Sequence, residues 1–596
     1  MRRSKLFSTI GVVLFVMLLC MNVGAKTVTL KFVETSDVHG SFFPYDFIKA
    51  EDVPTSLAQV YSYVKEQRAN ADQHVILLDN GDILQGQPTV YYYNFEKTDA
   101  THICADIMNF MKYDAGSVGN HDVEPGHDVY DKLVKDFAFP WLGANTLKAG
   151  TDESYFEPYT IIEKDGVKIA ILGMSNPWIP NWLPENMWSG IDFEDMIESS
   201  KKWVKIIQEQ ENPDVLIGLF HAGVDFTYNR LTAETPNNPN ASKLVIEQVP
   251  GFDVVFVGHD HAGWNEMVPN SEGNDVLLMG AVNAAKTAAV ATITLTSDES
   301  GAWKKELSGE IIKSEDYPAD EEFMIEFKPV VDELKMYVDK PIGKFTKTIS
   351  TQESMFGDSP FVDLIHRIQL DLTKADVSFA APLSFNATIN EGDIFVRDGF
   401  NLYKYENLLY TMSLNGKEIK DFLEYSYDGW FNQMSGPDDH LIAFKKDDDG
   451  NLVWSDRYNS YQGVTRYYNY DSAAGIIYTV DVSKPSGERI IIKSMADGSE
   501  FDLEKQYKVA INSYRGTGGG GHITKGAGIP KEELEGRMLS STIQDLRYFL
   551  IKWIEEAQVV EPEALGNWDV IPADWWEKGK ALDYKTLYEP TPPDAG

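Results

Sequence analysis

Four apolar stretches of this 596-residue chain each run into a short cluster of aspartate and histidine residues. The stretches are 27–34, 74–78, 215–220 and 252–257, and the polar residues after them are Asp37, His39, Asp82, His221, His259 and His261. Helical patterns, for example at 57–67 and 193–210, lie between them, and further strand-like runs occupy 167–174 and 276–279. This alternation predicts an α/β core whose sheet faces are covered. Ligands of such cores bind at the carboxyl ends of strands, where these polar side chains fall.

The polar clusters have the composition of a metal site. The sequence Gly-Asn-His-Asp at 119–122 adds an amide, so the candidate ligands are Asp37, His39, Asp82, Asn120, His221, His259 and His261. Imidazole, carboxylate and amide oxygen without thiolate suit Zn, Mn, Fe, Co or Ni. This set is too large for one ion and about right for two that share a bridging carboxylate. Two ions ~3.5–4 Å apart stabilise the entering and leaving oxygens of an in-line displacement, so we expect phosphate-ester hydrolysis.

Each cluster taken alone also allows a simpler interpretation. Asp37 and His39 could form a capped turn, His221 could be a structural histidine, and the Gly-Asn-His-Asp sequence could be a hydrogen-bonded turn. The order of the clusters, their composition and their shared position after strands favour the metal interpretation for the whole set.

The first 25 residues have the organisation of a secretory signal peptide. Basic residues within 2–5 precede an apolar run over 6–19, and small residues at 23–25 provide a cleavage site. The alternatives are an uncleaved anchor and a lipoprotein anchor at Cys20. The run is shorter than the ~18 apolar residues of a membrane span, and Leu19 stands where a lipoprotein signal needs a small residue. We expect a periplasmic or secreted protein with no stable membrane span.

The acidity of the chain excludes several classes of partner. The 53 Lys+Arg and 92 Asp+Glu residues give a formal net charge of −39, which disfavours nonspecific binding to nucleic acid or anionic lipid. Once the signal is removed, Cys104 is the only cysteine, so no internal disulfide can form. We expect a monomer that acts on a small molecule and is held by its core or by metals.

The sequence divides into five parts. They are the signal peptide at 1–25, a metal-binding domain at 26–315, a linker helix at 316–343, a second domain at 344–557 and a tail at 558–596 that is rich in Pro, Trp and acidic residues. Pro329 predicts a kink or a restart within the linker helix. Ser359 and Pro360 predict the N-cap and first position of a helix over 361–372.

The motifs Asp-x-His, Gly-Asp, Gly-Asn-His-Asp, His and Gly-His-x-His resemble those of the calcineurin-like metallophosphoesterases. The resemblance implies an N-terminal four-layer α/β/β/α domain. It implies one metal held by Asp37, His39, Asp82 and His261, and a second held by Asp82, Asn120, His221 and His259, with Asp82 as the bridge. It also implies that His121 donates to the phosphate or the leaving oxygen. Glu124, where the 5′-nucleotidase branch usually has Asp, would orient His121, or it could simply begin a helix beside Pro125.

The second domain resembles the α/β substrate domain of the secreted 5′-nucleotidase superfamily, which often holds a nucleoside between two aromatic rings. The Asn-Gly-Gly-x-Arg element of 5′-nucleotidases is replaced by residues 380–386, which lack the arginine. The Leu-Tyr-x-Tyr-x-Asn sequence at 402–407 and Phe-Asn-Gln at 431–433 instead resemble the 2′,3′-cyclic-nucleotide 2′-phosphodiesterase/3′-nucleotidase branch. We expect Tyr468 and Tyr514 to stack on the base, with Phe431 as a substitute. All three could instead be core or edge-strand aromatics.

The branch resemblance implies a two-stage hydrolysis. Hydroxide attacks the phosphorus of a 2′,3′-cyclic nucleotide in line, the metals neutralise the phosphoryl oxygens and His121 assists the leaving 2′-oxygen. The 3′-nucleotide is then cleaved to nucleoside and phosphate. The alternatives are a 5′-nucleotidase or nucleotide-sugar hydrolase, and an exported nucleotide- or metal-binding protein without turnover. The loop at 178–182 either flanks the site or packs ordinarily.

Overall fold

The computed structural model describes residues 26–228, 231–298, 302–455 and 459–590. The predicted signal peptide at 1–25 lies outside the described residues. Within the described ranges, no helix combines the length and the apolar character that a membrane crossing requires.

The N-terminal domain is built on two six-stranded sheets. In chain order the strands are β1 (Thr27–Thr35), β2 (His74–Asp79), β3 (Ala115–Ser117), β4 (Trp141–Leu142), β5 (Tyr159–Lys164), β6 (Val167–Met174), β7 (Val215–Phe220), β8 (Val254–Val257), β9 (Trp264–Pro269), β10 (Asp275–Gly280), β11 (Thr287–Ser297) and β12 (Trp303–Lys313). The first sheet has the order β12-β11-β1-β2-β3-β4 and the second β9-β10-β8-β7-β6-β5. Strands β1 to β4 are parallel to one another, and so are β6, β7, β8 and β10.

The two sheets face each other across an apolar layer. Leu30 and Phe32 of β1 point into it and meet Ile169 and Ile217 of the second sheet. Val33, one position out of phase, packs against the helices on the outer face, as the two-residue period of a strand requires. The N-terminal helices are Leu57–Ala69, Pro88–Tyr91 (continued by a π-turn, Tyr92–Glu96), Ile103–Met111, Asn120–Val123, His127–Asp136, Ile179–Trp182, Glu185–Trp188, Met196–Gln210 and Ser242–Gln248. Helices cover the outer face of each sheet, which confirms the predicted four-layer α/β/β/α arrangement.

The predicted linker helix is two helices, Glu321–Glu326 and Lys328–Val338. Pro329 lies in the first turn of the second helix, where its missing N–H costs no helical hydrogen bond, so it marks a restart. Phe323 and Leu334 of these helices are buried in the core of the N-terminal domain. The linker is therefore packed onto the metal-binding domain.

The C-terminal domain has a mixed five-stranded sheet of order β17-β14-β20-β16-β21 and two three-stranded sheets, β15-β13-β22 and β19-β18-β23. The strands are β13 (Pro341–Phe345), β14 (Val377–Ala380), β15 (Gly392–Phe395), β16 (Leu408–Asn415), β17 (Ser472–Ala474), β18 (Ile476–Asp481), β19 (Ile490–Met495), β20 (Gln506–Asn512), β21 (Met538–Asp545), β22 (Val559–Val560) and β23 (Trp568–Ile571). Its α-helices are Thr351–Ser354, Pro360–Thr373, Val396–Leu402, Gly416–Trp430, Ser513–Gly516, Leu534–Arg537, Leu546–Ala557 and Ala573–Tyr588. Both domains are α/β, as the sequence predicts.

The C-terminal tail completes this second domain. Strand β23 pairs in parallel with β18, and the helix Ala573–Tyr588 follows it. In that helix the buried Asp583 accepts a hydrogen bond from the backbone N–H of Ile442 at 2.7 Å. Within the described residues, the tail is therefore an integral part of the C-terminal domain.

Candidate metal centre

The candidate ligands come from the carboxyl ends of neighbouring strands in both sheets. Asp37 and His39 follow β1, Asp82 follows β2, and Asn120 follows β3. In the second sheet, His221 follows β7, and His259 and His261 follow β8. The structure thus brings together all seven predicted ligands from five separate chain segments.

Most of the ligands have a left-handed backbone, which is uncommon for residues other than glycine. The φ angles are 51° for Asp37, 51° for His39, 59° for Asp82, 71° for His259 and 58° for His261. Such conformations cost of order 1–3 kcal/mol each and cluster at functional sites. These five residues lie in the turns that directly follow β1, β2 and β8.

The first group of ligands comprises Asp37, His39 and His261, whose ligand atoms all lie within 4.8 Å of one another. The Nε2 atoms of His39 and His261 are 3.1 Å apart, and Nε2 of His261 is 3.2 Å from Oδ1 of Asp37. The other ring nitrogen of His39, Nδ1, faces the carbonyl oxygen of Gln85 at 2.8 Å, which favours Nδ1–H as donor and leaves Nε2 unprotonated. A lone pair is then available for a cation.

The second group comprises Asp82, His221 and His259, again with ligand atoms within 4.8 Å. Oδ2 of Asp82 and Nε2 of His221 are 3.0 Å apart, yet neither makes a hydrogen bond of good geometry, although both atoms are buried. Nδ1 of His221 donates to the carbonyl oxygen of Asn80 at 2.6 Å. Two buried, mutually close and unsatisfied ligand atoms fit a shared cation, because unpaired buried polar groups are costly.

The electrostatics of the centre also suit cations. Burial, followed by the charge of His261, lowers the pKa of His39 to about 3, and burial with His221 lowers that of His259 to about 3. Burial disfavours the protonated form of His221, but Asp82 outweighs it and raises the pKa to about 10. The Asp82 carboxylate therefore favours a positive charge beside His221, and a cation bound there would supply that charge.

His121 lies at the edge of the ligand set and does not belong to either group. Its backbone N–H donates to Oδ1 of Asp82 at 2.7 Å, and its Nδ1 is 2.5 Å from Oε2 of Glu124. Burial opposes protonation, yet Asp82 and Glu124 together raise the pKa of His121 to about 9. The longer arm of Glu124 thus reaches the histidine, and the imidazole is held ready to donate from its other nitrogen.

Asp122 is an organising residue to which the sequence assigns no role. Its buried carboxylate accepts the backbone N–H groups of Asp82, Ile83 and Gly119 at 2.9, 2.8 and 2.8 Å. These bonds join the loops after β2 and β3. A Cβ on Gly119 would lie 2.2 Å from Oδ1 of Asp82, so only glycine fits there. The sequence feature that could have identified Asp122 is its position as the last residue of the Gly-Asn-His-Asp motif.

The predicted aromatic residues divide into two environments. Tyr468 and Tyr514 are half-buried. Arg515 connects the two segments, because its Nη2 donates to the carbonyl oxygen of Tyr468 at 2.6 Å. The Arg515 guanidinium also lies 5.2 Å from the centre of the Tyr514 ring. Arg515 is itself fixed by Asp471 at 2.7 Å. Phe431, in contrast, is 1% exposed and packs in the core, 5.7 Å from the ring of Tyr427. The structure therefore leaves Phe431 no open face for a base.

Comparisons with known families agree with this architecture. The calcineurin-like phosphoesterase family matches residues 30–263, and the 5′-nucleotidase C-terminal domain family matches residues 341–526. The first match covers all the candidate ligands. The second covers Tyr468, Tyr514 and the Leu-Tyr-x-Tyr-x-Asn sequence. The resemblance drawn from the motifs is thereby confirmed.

The individual relatives share only about a quarter of their residues with this chain. The chain is 26% identical to the trifunctional nucleotide phosphoesterase protein YfkN of Bacillus subtilis, over 92% of this chain but only 39% of that protein. It is also 26% identical to a Haemophilus influenzae 2′,3′-cyclic-nucleotide 2′-phosphodiesterase/3′-nucleotidase, over 92% of this chain and 88% of the relative. A Staphylococcus aureus protein solved in complex with α-ketoglutarate superposes with a TM-score of 0.73 at 21% identity, over 91% of this chain and 99% of that one. That likeness concerns the fold.

Proposed function

We propose that this chain, a calcineurin-like phosphoesterase with a 5′-nucleotidase C-terminal domain, hydrolyses 2′,3′-cyclic nucleotides to 3′-nucleotides, and then to nucleoside and phosphate. The chain is a phosphoric ester hydrolase by family, and the finer substrate assignment is our inference. The observation that carries the proposal is the pair of ligand groups, each within 4.8 Å, beside the hydrogen-bonded His121 and Glu124.

Asp37, His39 and His261 would hold one divalent cation, and Asp82, His221 and His259 the other, with Asp82 shared. Asn120, whose Oδ1 lies 2.9 Å from Nδ1 of His259, would complete the second set. Such cations neutralise phosphoryl oxygens and generate a nucleophile at neutral pH. His121 would donate a proton to the leaving ribose oxygen, and Glu124 would orient its imidazole through Nδ1.

Two features support the cyclic-nucleotide branch over 5′-nucleotides. The segment at 380–386 lacks the arginine of the 5′-nucleotidase element, and the Leu-Tyr-x-Tyr-x-Asn sequence at 402–407 resembles that branch. The Haemophilus influenzae relative carries the corresponding name. The test is phosphate release from metal-loaded protein given 2′,3′-cyclic AMP, 3′-AMP, 5′-AMP or UDP-glucose. A phosphomonoesterase is added to the cyclic nucleotide and to the nucleotide sugar, so that their phosphomonoester products also release phosphate. We expect the first two to be preferred. Preference for 5′-AMP or the nucleotide sugar would assign the rival activity, and no turnover of any substrate would favour a binding protein.

Tyr468 and Tyr514 would hold the nucleobase, and this makes a specific prediction. Stacking contributes ~1–3 kcal/mol per base, so Tyr468→Ala or Tyr514→Ala should raise KM for 3′-AMP about five- to 150-fold. The same variants should change the hydrolysis of p-nitrophenyl phosphate, which has no base, much less. Steady-state kinetics on both substrates give the comparison. Tyr461→Ala, in a short hairpin of the same domain, is a control. Equal losses on both substrates would contradict a role in base binding.

We also propose that residues 1–25 are removed on export and that the mature chain acts in the periplasm or outside the cell. The support is the basic start, the short apolar run and the small residues at 23–25. N-terminal sequencing of protein recovered from the producing cells should begin at Lys26. Recovery of the intact N-terminus would contradict this proposal.

A further inference from the structure

A short helix after strand β6 places an indole against one of the candidate metal ligands. The helix is Ile179–Trp182, and the Trp182 ring lies 5.2 Å from the His259 imidazole at an interplanar angle of 23°. Trp178 continues the stack at 6.4 Å and 15°. The sequence left open whether this loop flanks the site or merely packs. The structure places its last residue in direct contact with a ligand.

His259 needs support from its surroundings, because its own backbone is strained. Its φ is 71°, in the left-handed region that histidine adopts at a cost. Its Nδ1 lies 2.9 Å from Oδ1 of Asn120, and the edge of the His221 ring approaches at 5.6 Å and 70°. Trp182 supplies the broad contact with the imidazole face. It thereby restricts rotation of the ring about its side-chain bonds.

The same helix is bound by the C-terminal domain. The Lys531 ammonium donates to the carbonyl oxygen of Pro180 at 3.2 Å and to the side-chain oxygen of Asn181. Lys531 begins the short helix Lys531–Glu533 of the C-terminal domain, and its side chain is exposed on either side of this contact. Pro180 and Asn181 immediately precede Trp182. A side chain of the C-terminal domain therefore hydrogen-bonds to the segment that contacts His259.

We propose that Trp182 is a positioning residue for His259, and that Lys531 makes this positioning depend on the docking of the C-terminal domain. The inference rests on the cation site proposed above and not on which nucleotide is cleaved. Groups that orient a metal ligand usually contribute 10- to 100-fold to metal affinity. An indole offers a metal ion no ligating lone pair, so the contribution of Trp182 acts through the orientation of the imidazole.

The experiment measures metal retention rather than activity. Full-length wild type, Trp182→Ala, Trp182→Phe and Lys531→Met are loaded with Zn²⁺ or Mn²⁺, and transfer to a chromophoric chelator is followed. Trp182→Ala should release one of its two equivalents ~10-fold or more faster than wild type. Trp182→Phe keeps an aromatic face and should stay close to wild type. Trp203→Ala, which removes another half-buried indole from the same domain, is the matched control and should release metal as wild type does.

Lys531→Met keeps the length of the side chain but cannot donate. It should accelerate release of the same equivalent several-fold, and should add little to the effect of Trp182→Ala in the double variant, because both act on one segment. Thermal melting of each variant shows whether the fold is intact.

The possible outcomes distinguish the role of Trp182, the coupling through Lys531 and the proposed metal site itself. Wild type with two metals and unchanged release from Trp182→Ala would overturn the role of Trp182. An effect of Trp182→Ala with none from Lys531→Met, or full additivity, would overturn the coupling to the C-terminal domain. Equal losses in Trp182→Ala and Trp203→Ala would mean general destabilisation and would also count against the inference. Wild type that takes up no metal would refute the proposed function itself.

Discussion

Replacement of Asp82 by alanine should abolish phosphate release and remove bound metal together. Asp82 is 1% exposed, its Oδ2 lies 3.0 Å from His221, and its Oδ1 accepts the backbone N–H of His121 at 2.7 Å. Asp82 therefore contacts both a ligand of the second group and the candidate proton donor, and it is the carboxylate that we propose to be shared by the two cations. Loss of a single preorganised oxyanion donor already costs about 10²–10³-fold, so loss of the bridging ligand should exceed ~10³-fold in kcat.

The measurement pairs elemental analysis with phosphate release on the same sample. Asp131→Ala, on the helix His127–Asp136, removes a more exposed carboxylate from the same domain and should leave both quantities at wild-type values. Circular dichroism shows that each variant is folded. Asp82→Ala with full metal content and normal turnover would contradict the bridging role.

The second large effect concerns His121. His121→Ala should lower kcat for 3′-AMP by ~10²–10⁴-fold, the usual contribution of a positioned general acid. Metal content should remain at the wild-type level, because His121 belongs to neither ligand group. Loss of metal in this variant would show that the histidine is a ligand.

The leaving group gives a sharper test of the proton donor. p-Nitrophenolate departs without a proton, so the deficit of His121→Ala should be much smaller on p-nitrophenyl phosphate than on 3′-AMP. Glu124→Gln retains the imidazole but loses the charge that holds Nδ1 at 2.5 Å, and it should show an intermediate loss with the same dependence on leaving group. Equal deficits on both substrates would assign His121 to phosphate binding rather than proton transfer.

Much of the metal centre could be predicted because its ligands are specified locally. Each candidate ligand follows a strand, and parallel strands present their carboxyl ends at one edge. A covered α/β core could likewise be inferred, since near-continuous apolar strands such as β7 must be covered on both faces, whereas its four layers are implied by the family resemblance. Chain order and residue type therefore specify these features without any knowledge of contacts between distant segments.

The remaining features depend on contacts between distant segments. Trp182 meets His259, and Lys531 meets Asn181, across separations that no local pattern encodes. The aromatic residues show the same limit: the sequence offers both Phe431 and Tyr514 as base-stacking candidates, yet Phe431 is packed in the core and Tyr514 is half-buried. Side-chain chemistry alone does not decide between a packing role and a binding role.

The most direct test of the central claim is to locate the cations. Protein loaded with Zn²⁺ or Mn²⁺ should contain two equivalents per chain by elemental analysis. Anomalous diffraction at the metal edge should then place two peaks ~3.5–4 Å apart, one beside Asp37, His39 and His261, the other beside His221 and His259, with Asp82 between them. Loaded protein that shows no peak among these side chains, or a single peak outside them, would contradict the account.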